Sequence, residues 1–108
     1  MSDKKRTTGY NGQPVALLYK TDFSVEEIKP ANSRYFNLEE MQAYVGGLIQ
    51  IIPLDGEGLE DRLLVVNEEG KNDGLPFNLF ATLEWVKYYG ETDFVSGDAI
   101  ICHPSLIR

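Results

Sequence analysis

The chain has 108 residues, with 10 Lys+Arg against 17 Asp+Glu, a net charge of −7, 43% hydrophobic residues, one Cys and one His. That is one domain's worth of sequence, too apolar for a wholly disordered chain. A single cysteine excludes a disulfide framework, and a single histidine beside it leaves no ligand set for a Cys/His zinc site.

The charge is unevenly spread. Lys4, Lys5 and Arg6 face only Asp3 in the opening segment, whereas residues 37–73 carry nine acids against Arg62 and Lys71. Such a surface repels phosphate backbones, so direct nucleic-acid binding is disfavoured. It is either a solvated face or an acidic decoy for a basic cleft on a partner. No apolar run approaches the ~20 residues that span a bilayer. The first twelve residues lack the apolar core of a secretory signal. The expectation is a cytoplasmic protein with one reduced thiol and no membrane segment.

Residues 1–13 read as a flexible lead-in and residues 14–108 as the single domain. Val15 to Tyr19 is an apolar run expected to form a strand. Thr21 to Ser24 supplies a turn, and Val25 to Lys29 returns as a weaker second strand, interrupted by Glu26-Glu27 and closed by Pro30. Asn37 caps a helix with Glu40 in capping-box position, and Phe36 with Met41 forms a hydrophobic staple. Leu38, Met41 and Val45 share the helix's apolar face, and Gly46-Gly47 ends it.

Leu48 to Leu54 and Arg62 to Val66 flank a glycine-acid loop and predict an antiparallel hairpin. Both runs are too continuously apolar for a sheet wet on one face, so their centre is covered on both sides or serves as an interface. Leu79 to Tyr89 reads as a second helix with Leu79, Leu83 and Val86 as its stripe, flanked by Phe80 and Trp85, and Gly90 as its stop. Phe94-Val95 and Ala99 to Cys102 form a last strand region, bent at Ser96-Gly97-Asp98. The order is ββαββαβ, an α+β domain with a mostly antiparallel sheet.

Catalytic motifs fail one by one. Gly70-Lys71 lacks the P-loop's leading glycine, where Val65 stands, and its hydroxyl, where Asn72 stands. Gly56-Glu57-Gly58 lacks the third glycine of a dinucleotide fingerprint, at Asp61, and joins two strands. An EF-hand alignment on Gly74 puts Lys71 at a ligand position and Phe80 where a bidentate Glu belongs. Cys102 and His103 are adjacent and point to opposite faces of a strand, so they cannot act as a nucleophile pair. Cys102 is expected to be a small buried hydrophobe and His103 a strand-end surface residue. Glu68-Glu69 with Asp98 is a weak candidate for a divalent cation. The sequence thus assigns no catalytic residue, no metal and no cofactor.

Two features remain. The twelve-residue connection from Asn67 to Asn78 exceeds the usual ~2–6 between elements. Leu75, Pro76 and Phe77 can plug it to the core. Alternatively Asn67, Glu68, Glu69, Gly70, Lys71, Gly74, Leu75, Pro76 and Asn78 bind a small polar ligand or a peptide. The second feature is the aromatic set Trp85, Tyr88 and Tyr89, with Tyr44 and Tyr35 elsewhere. Adjacent tyrosines on a helix cannot both face inward, so one anchors a surface contact with a partner or a second copy. Asp55 and Glu57 of the acidic hairpin extend that candidate interface.

The segments Leu38–Gln42, Val45–Gly47, Val66–Lys71, Gly74–Asn78 and Gly97–Ala99 together resemble a small uncharacterised domain family found in phages, prophages, plasmids and gut bacteria. The likeness runs from about Val15 to Cys102 and implies a cytoplasmic accessory protein, with no catalytic residues to carry over. The leading expectation is a noncatalytic binding or interaction module. Capture of a nucleotide-like small molecule comes second, and a metal-assisted hydrolase a distant third.

Overall fold

The computed structural model describes residues 14–107. The chain forms β1 (Ala16–Tyr19), β2 (Val25–Ile28), α1 (Leu38–Val45), β3 (Ile49–Leu54), β4 (Arg62–Asn67), α2 (Leu79–Tyr89) and β5 (Ala99–Cys102), followed by a 3₁₀ turn at Pro104–Leu106. The strands make one sheet in the order β2-β1-β5-β4-β3, antiparallel at every step. Two hairpins, β1–β2 and β3–β4, are therefore stitched together by β5, which pairs Ile101 with Leu17 on one side and with Leu64 on the other. The lead-in assigned to residues 1–13 lies outside the described residues.

Period-two alternation sends each central strand's side chains to two separate cores. Ala16, Leu18, Val65, Ile100 and Cys102 meet Phe36, Met41 and Val45 on the α1 side. Leu17, Tyr19, Leu64, Val66, Ala99 and Ile101 meet Leu54, Ala81 and Val95 on the α2 side. A helix on each face explains why β1 and β5 are buried along their whole length. The arrangement is the α+β domain expected from the element order.

The entry to α1 follows its sequence signals. The Asn37 side chain accepts from the Glu40 amide at 2.9 Å, and the Glu40 carboxylate accepts from the Asn37 amide at 3.1 Å. Gly46 leaves the helix at φ +83°, where a residue without Cβ is unstrained. Leu38 departs from expectation: at the first helical position it points outward and is 50% exposed, leaving Met41 and Val45 as the buried pair.

Helix α2 is turned relative to the expected stripe. Its buried residues are Ala81, Thr82 and Glu84, while Leu83 is 49% exposed. A buried carboxylate is invisible to hydrophobic periodicity, so the apolar stripe marked the wrong face. The last strand also begins later than Phe94-Val95. Val95 is buried between elements, its amide donating to the Thr82 hydroxyl at 2.9 Å and its carbonyl accepting from the Asn78 amide at 2.8 Å. Among the described residues no helix is long and apolar enough to cross a membrane.

Candidate functional site

The Asn67–Asn78 connection is held by its own bonds. Asn67 donates to the Val45 carbonyl at 3.1 Å and accepts from the Glu69 amide at 2.8 Å. Asn78 is fully buried and caps α2, accepting from the Ala81 amide at 3.0 Å. Its side-chain N–H groups donate to the carbonyls of Tyr19 at 2.8 Å and Gly97 at 2.9 Å. Backbone bonds from Gly70 to Asn67, Asp73 to Glu69, Gly74 to Lys71 and Leu75 to Gly70 coil the segment between them. Gly70 is needed there, because a Cβ at this position would stand 2.6 Å from the Ser96 carbonyl oxygen. Both asparagines thus spend their side-chain amides on the fold.

What this loop presents outward is one wall of a cleft of about 390 Å³. Gln50, Ile51, Ile52 and Pro53 of β3 form another wall, and Trp85 and Tyr89 of α2 a third, with Asp93 and Phe94 closing one end. Trp85 and Tyr89 stack with ring centroids 4.4 Å apart. Trp85 Nε1 donates to Thr92 at 3.1 Å, and the Tyr89 hydroxyl donates to the Pro53 carbonyl, so both rings are oriented by hydrogen bonds. Lys71 pairs with Asp93 and lies 4.6 Å over the Phe94 ring. The Lys71 ammonium beside Asp93, together with the Phe94 amide, holds that carboxyl below its usual range.

Of the residues singled out in the sequence, Asn67, Glu68, Lys71, Trp85 and Tyr89 converge on this cleft. Glu69, Gly70, Gly74, Leu75, Pro76 and Asn78 do not line it, and neither do Tyr88, Asp55 or Glu57. Gln50, Ile52, Pro53, Asn72, Asp93 and Phe94 were missed. One usable signal was Pro53 inside an apolar run, which marks an edge strand whose free side can adjoin a cleft.

Tyr88 faces inward, away from the cleft, and belongs to a buried polar cluster. Its hydroxyl donates to the Glu60 carbonyl at 2.7 Å and accepts from Arg62 Nε at 3.1 Å, with the guanidinium 5.3 Å from the ring centre. Arg62 and Glu84 pair at 2.6 Å with side chains only 3% and 4% exposed. Glu84 accepts a second bond from the Tyr19 hydroxyl at 2.9 Å and meets Lys87 at 3.1 Å. Burial pushes the Glu84 carboxyl up, but the Arg62 hydrogen bond and charge, with Tyr19 and Lys87, outweigh it and hold the group below its ordinary value. Burial, reinforced by the Glu84 charge, pushes the Tyr19 hydroxyl far up. The cluster bolts α2 to β1 and β4 and so fixes the helix that carries Trp85 and Tyr89.

A family model described as a domain of unknown function, DUF3846, matches residues 16–105. The chain belongs to this family. No curated protein and no solved structure matches it.

The DUF3846 description assigns no chemistry, so the reactive groups stand on their own geometry. Cys102 is fully buried at the end of β5, and burial pushes its thiol up to about 12, which keeps it protonated and inert. His103 Nδ1 accepts from the Ser105 amide at 3.1 Å and lies 2.8 Å from its hydroxyl, capping the 3₁₀ turn. Asp98 accepts from the Thr21 amide at 3.0 Å and Glu69 from the Asn72 side chain at 2.8 Å. Among the described residues no group of three His, Cys, Asp or Glu side chains is placed to hold a metal ion.

Proposed function

We propose that this domain is a noncatalytic binding module that takes a protein partner at the cleft between β3 and α2. The observation that carries the reading is the Trp85–Tyr89 stack, held by hydrogen bonds and opening into a cleft of about 390 Å³ that no histidine or cysteine lines. Rigid, hydrogen-bonded aromatics beside polar groups are what protein contacts use as anchors. The acidic balance of the chain favours a basic partner. An acidic domain with a single inert thiol suits the cytoplasm, and its role there is read as that of an accessory protein of phage or mobile-element type.

A second reading is favoured by the cleft's size, which falls in the ~300–1,000 Å³ range of small-molecule sites, and by Lys71 and the aromatic stack inside it. Native mass spectrometry of protein purified gently from its host separates the two. A heavier complex that is lost in Trp85→Ala supports the partner module. A mass excess of several hundred daltons, lost in the same variant, means ligand capture instead. A bare chain under those conditions overturns both.

A further inference from the structure

The edge of β3 is half closed and half open. The Glu68 amide donates to the Leu48 carbonyl at 2.8 Å, which makes that pair a hydrogen-bonded one in the β3–β4 ladder. With Ile49 opposite Asn67 and Gln50 opposite Val66, the alternation then turns Gln50, Ile52 and Leu54 toward β4. Ile49, Ile51 and Pro53 turn their backbone groups outward, away from the sheet. Pro53 has no N–H to offer, and its carbonyl is taken by Tyr89. Among the described residues, what remains unpaired is the N–H and C=O of Ile49 and Ile51, on a strand that ends the sheet order. Beside them the Ile51 side chain is 41% exposed.

Resting on the partner-module reading above, we propose that DUF3846 here takes its partner by strand addition. An extended segment pairs with Ile49 and Ile51, and its alternate side chains enter the cleft against Trp85 and Tyr89. Residues opposite Gln50 and Ile52 share their face and therefore point into the cleft, while the residue opposite Ile51 covers that exposed side chain. Charge selects the occupant. Glu68 stands beside the start of β3, and Asp55 and Glu57 follow its end, whereas Lys71, the one cation among the described residues lining the cleft, is already neutralised by Asp93. The segment that fits is apolar or aromatic on its cleft side and carries Lys or Arg at its two ends. The same edge of a second copy, with its own Glu68, Asp55 and Glu57, meets like charge there.

The test uses a display library of random peptides selected against the whole protein. Enriched peptides should combine apolar residues with flanking Lys or Arg and should bind less tightly as salt rises. Hydrogen exchange of the wild-type protein reads the mode directly. The Gln50 and Ile52 amides are slow before peptide is added, and those of Ile49 and Ile51 should slow by at least about tenfold after it, a change worth about 1.4 kcal/mol. Ile51→Pro removes one outward N–H without touching the β4 ladder and should weaken binding by a similar factor. Peptides that bind through Trp85 yet leave the Ile49 and Ile51 amides fast and tolerate Ile51→Pro overturn strand addition while sparing the binding module. Protection of the same amides without peptide, in a dimer, overturns the choice of occupant. Failure to enrich any peptide over the Trp85→Ala protein overturns both readings.

Discussion

On the α1 side of the sheet Phe36, Met41 and Val45 pack in an apolar cluster, whereas on the α2 side Glu84 and Arg62 are buried among Tyr19 and Tyr88. Both helices close a core on the same sheet, yet they are held differently. Helix α1 rests mainly on non-directional burial, with one buried hydrogen bond from Asn67 of β4 to its Val45 carbonyl. Helix α2 is fixed by hydrogen bonds whose partners lie on β1, on β4 and in the loop before β4, so its members depend on one another. The consequence is functional, because α2 carries Trp85 and Tyr89 to the cleft and α1 contributes nothing to it.

The sharpest way to break that contrast is to remove one member of the ion pair. Glu84→Ala leaves Arg62 buried without its carboxylate and should cost about 3–5 kcal/mol, seen as a lower urea midpoint. The double variant Arg62→Met with Glu84→Leu should recover most of that loss, since neither charge then remains buried. Equal losses in the single and double variants would mean that α2 is held by packing rather than by the ion pair.

Next in size is a comparison of the two caps. Asn37→Ala removes an exposed capping box and should cost about 1 kcal/mol. Asn78→Ala also strips the Tyr19 and Gly97 carbonyls of their donor inside the core, and should cost about 2–3 kcal/mol. Calorimetric midpoints of the two variants measure the difference directly.

The pH dependence separates the buried groups by sign. Glu84 is held below its ordinary value, so its contribution is complete above that value and is lost as pH falls through the lowered one. The Cys102 thiol and the Tyr19 hydroxyl are raised, so the sign reverses: stability is complete below their ordinary values and declines as pH rises past them. For Cys102 the decline starts near the ordinary value of 9.0 and ends near the folded value of about 12. It should remove about 1 kcal/mol by one pH unit above the start. Denaturation curves of Cys102→Val should lack this part of the alkaline limb and keep the part due to Tyr19.

Legibility in the sequence follows the same division. The α1 cap, its glycine stop and the staple of Phe36 and Met41 are local patterns within a dozen residues, and local patterns can be read. The β3–β4 hairpin was likewise carried by continuous apolar runs, but only β4 is covered on both faces; β3, at the sheet's edge, leaves Gln50 and Ile51 exposed. The orientation of α2 depends on Glu84 finding Arg62, 22 residues away, and Tyr19, 65 residues away. No spacing rule announces such a pair. The long connection drew attention for its length, but Asn67 and Asn78 proved to be bonded into the fold, and the cleft was completed from β3 and from Asp93-Phe94. A cleft built from four separate stretches of chain is a tertiary fact, visible in sequence only through the edge-strand mark of Pro53.

The smallest expected effect tests the turn of α2 most cleanly. If periodicity were right, Leu83 would be a core residue and its loss would cost ~2–5 kcal/mol, as for other buried leucines. At 49% exposure Leu83 lies on the side of α2 away from Ala81 and Glu84, so Leu83→Gln should shift stability by less than about 0.5 kcal/mol. Gln keeps the helix propensity of the position, so no backbone effect obscures the reading. A urea titration showing a loss of several kcal/mol would mean that α2 packs by its apolar stripe. The Glu84 cluster would then lie at the surface, and the cleft carried by Trp85 and Tyr89 would be turned away with it.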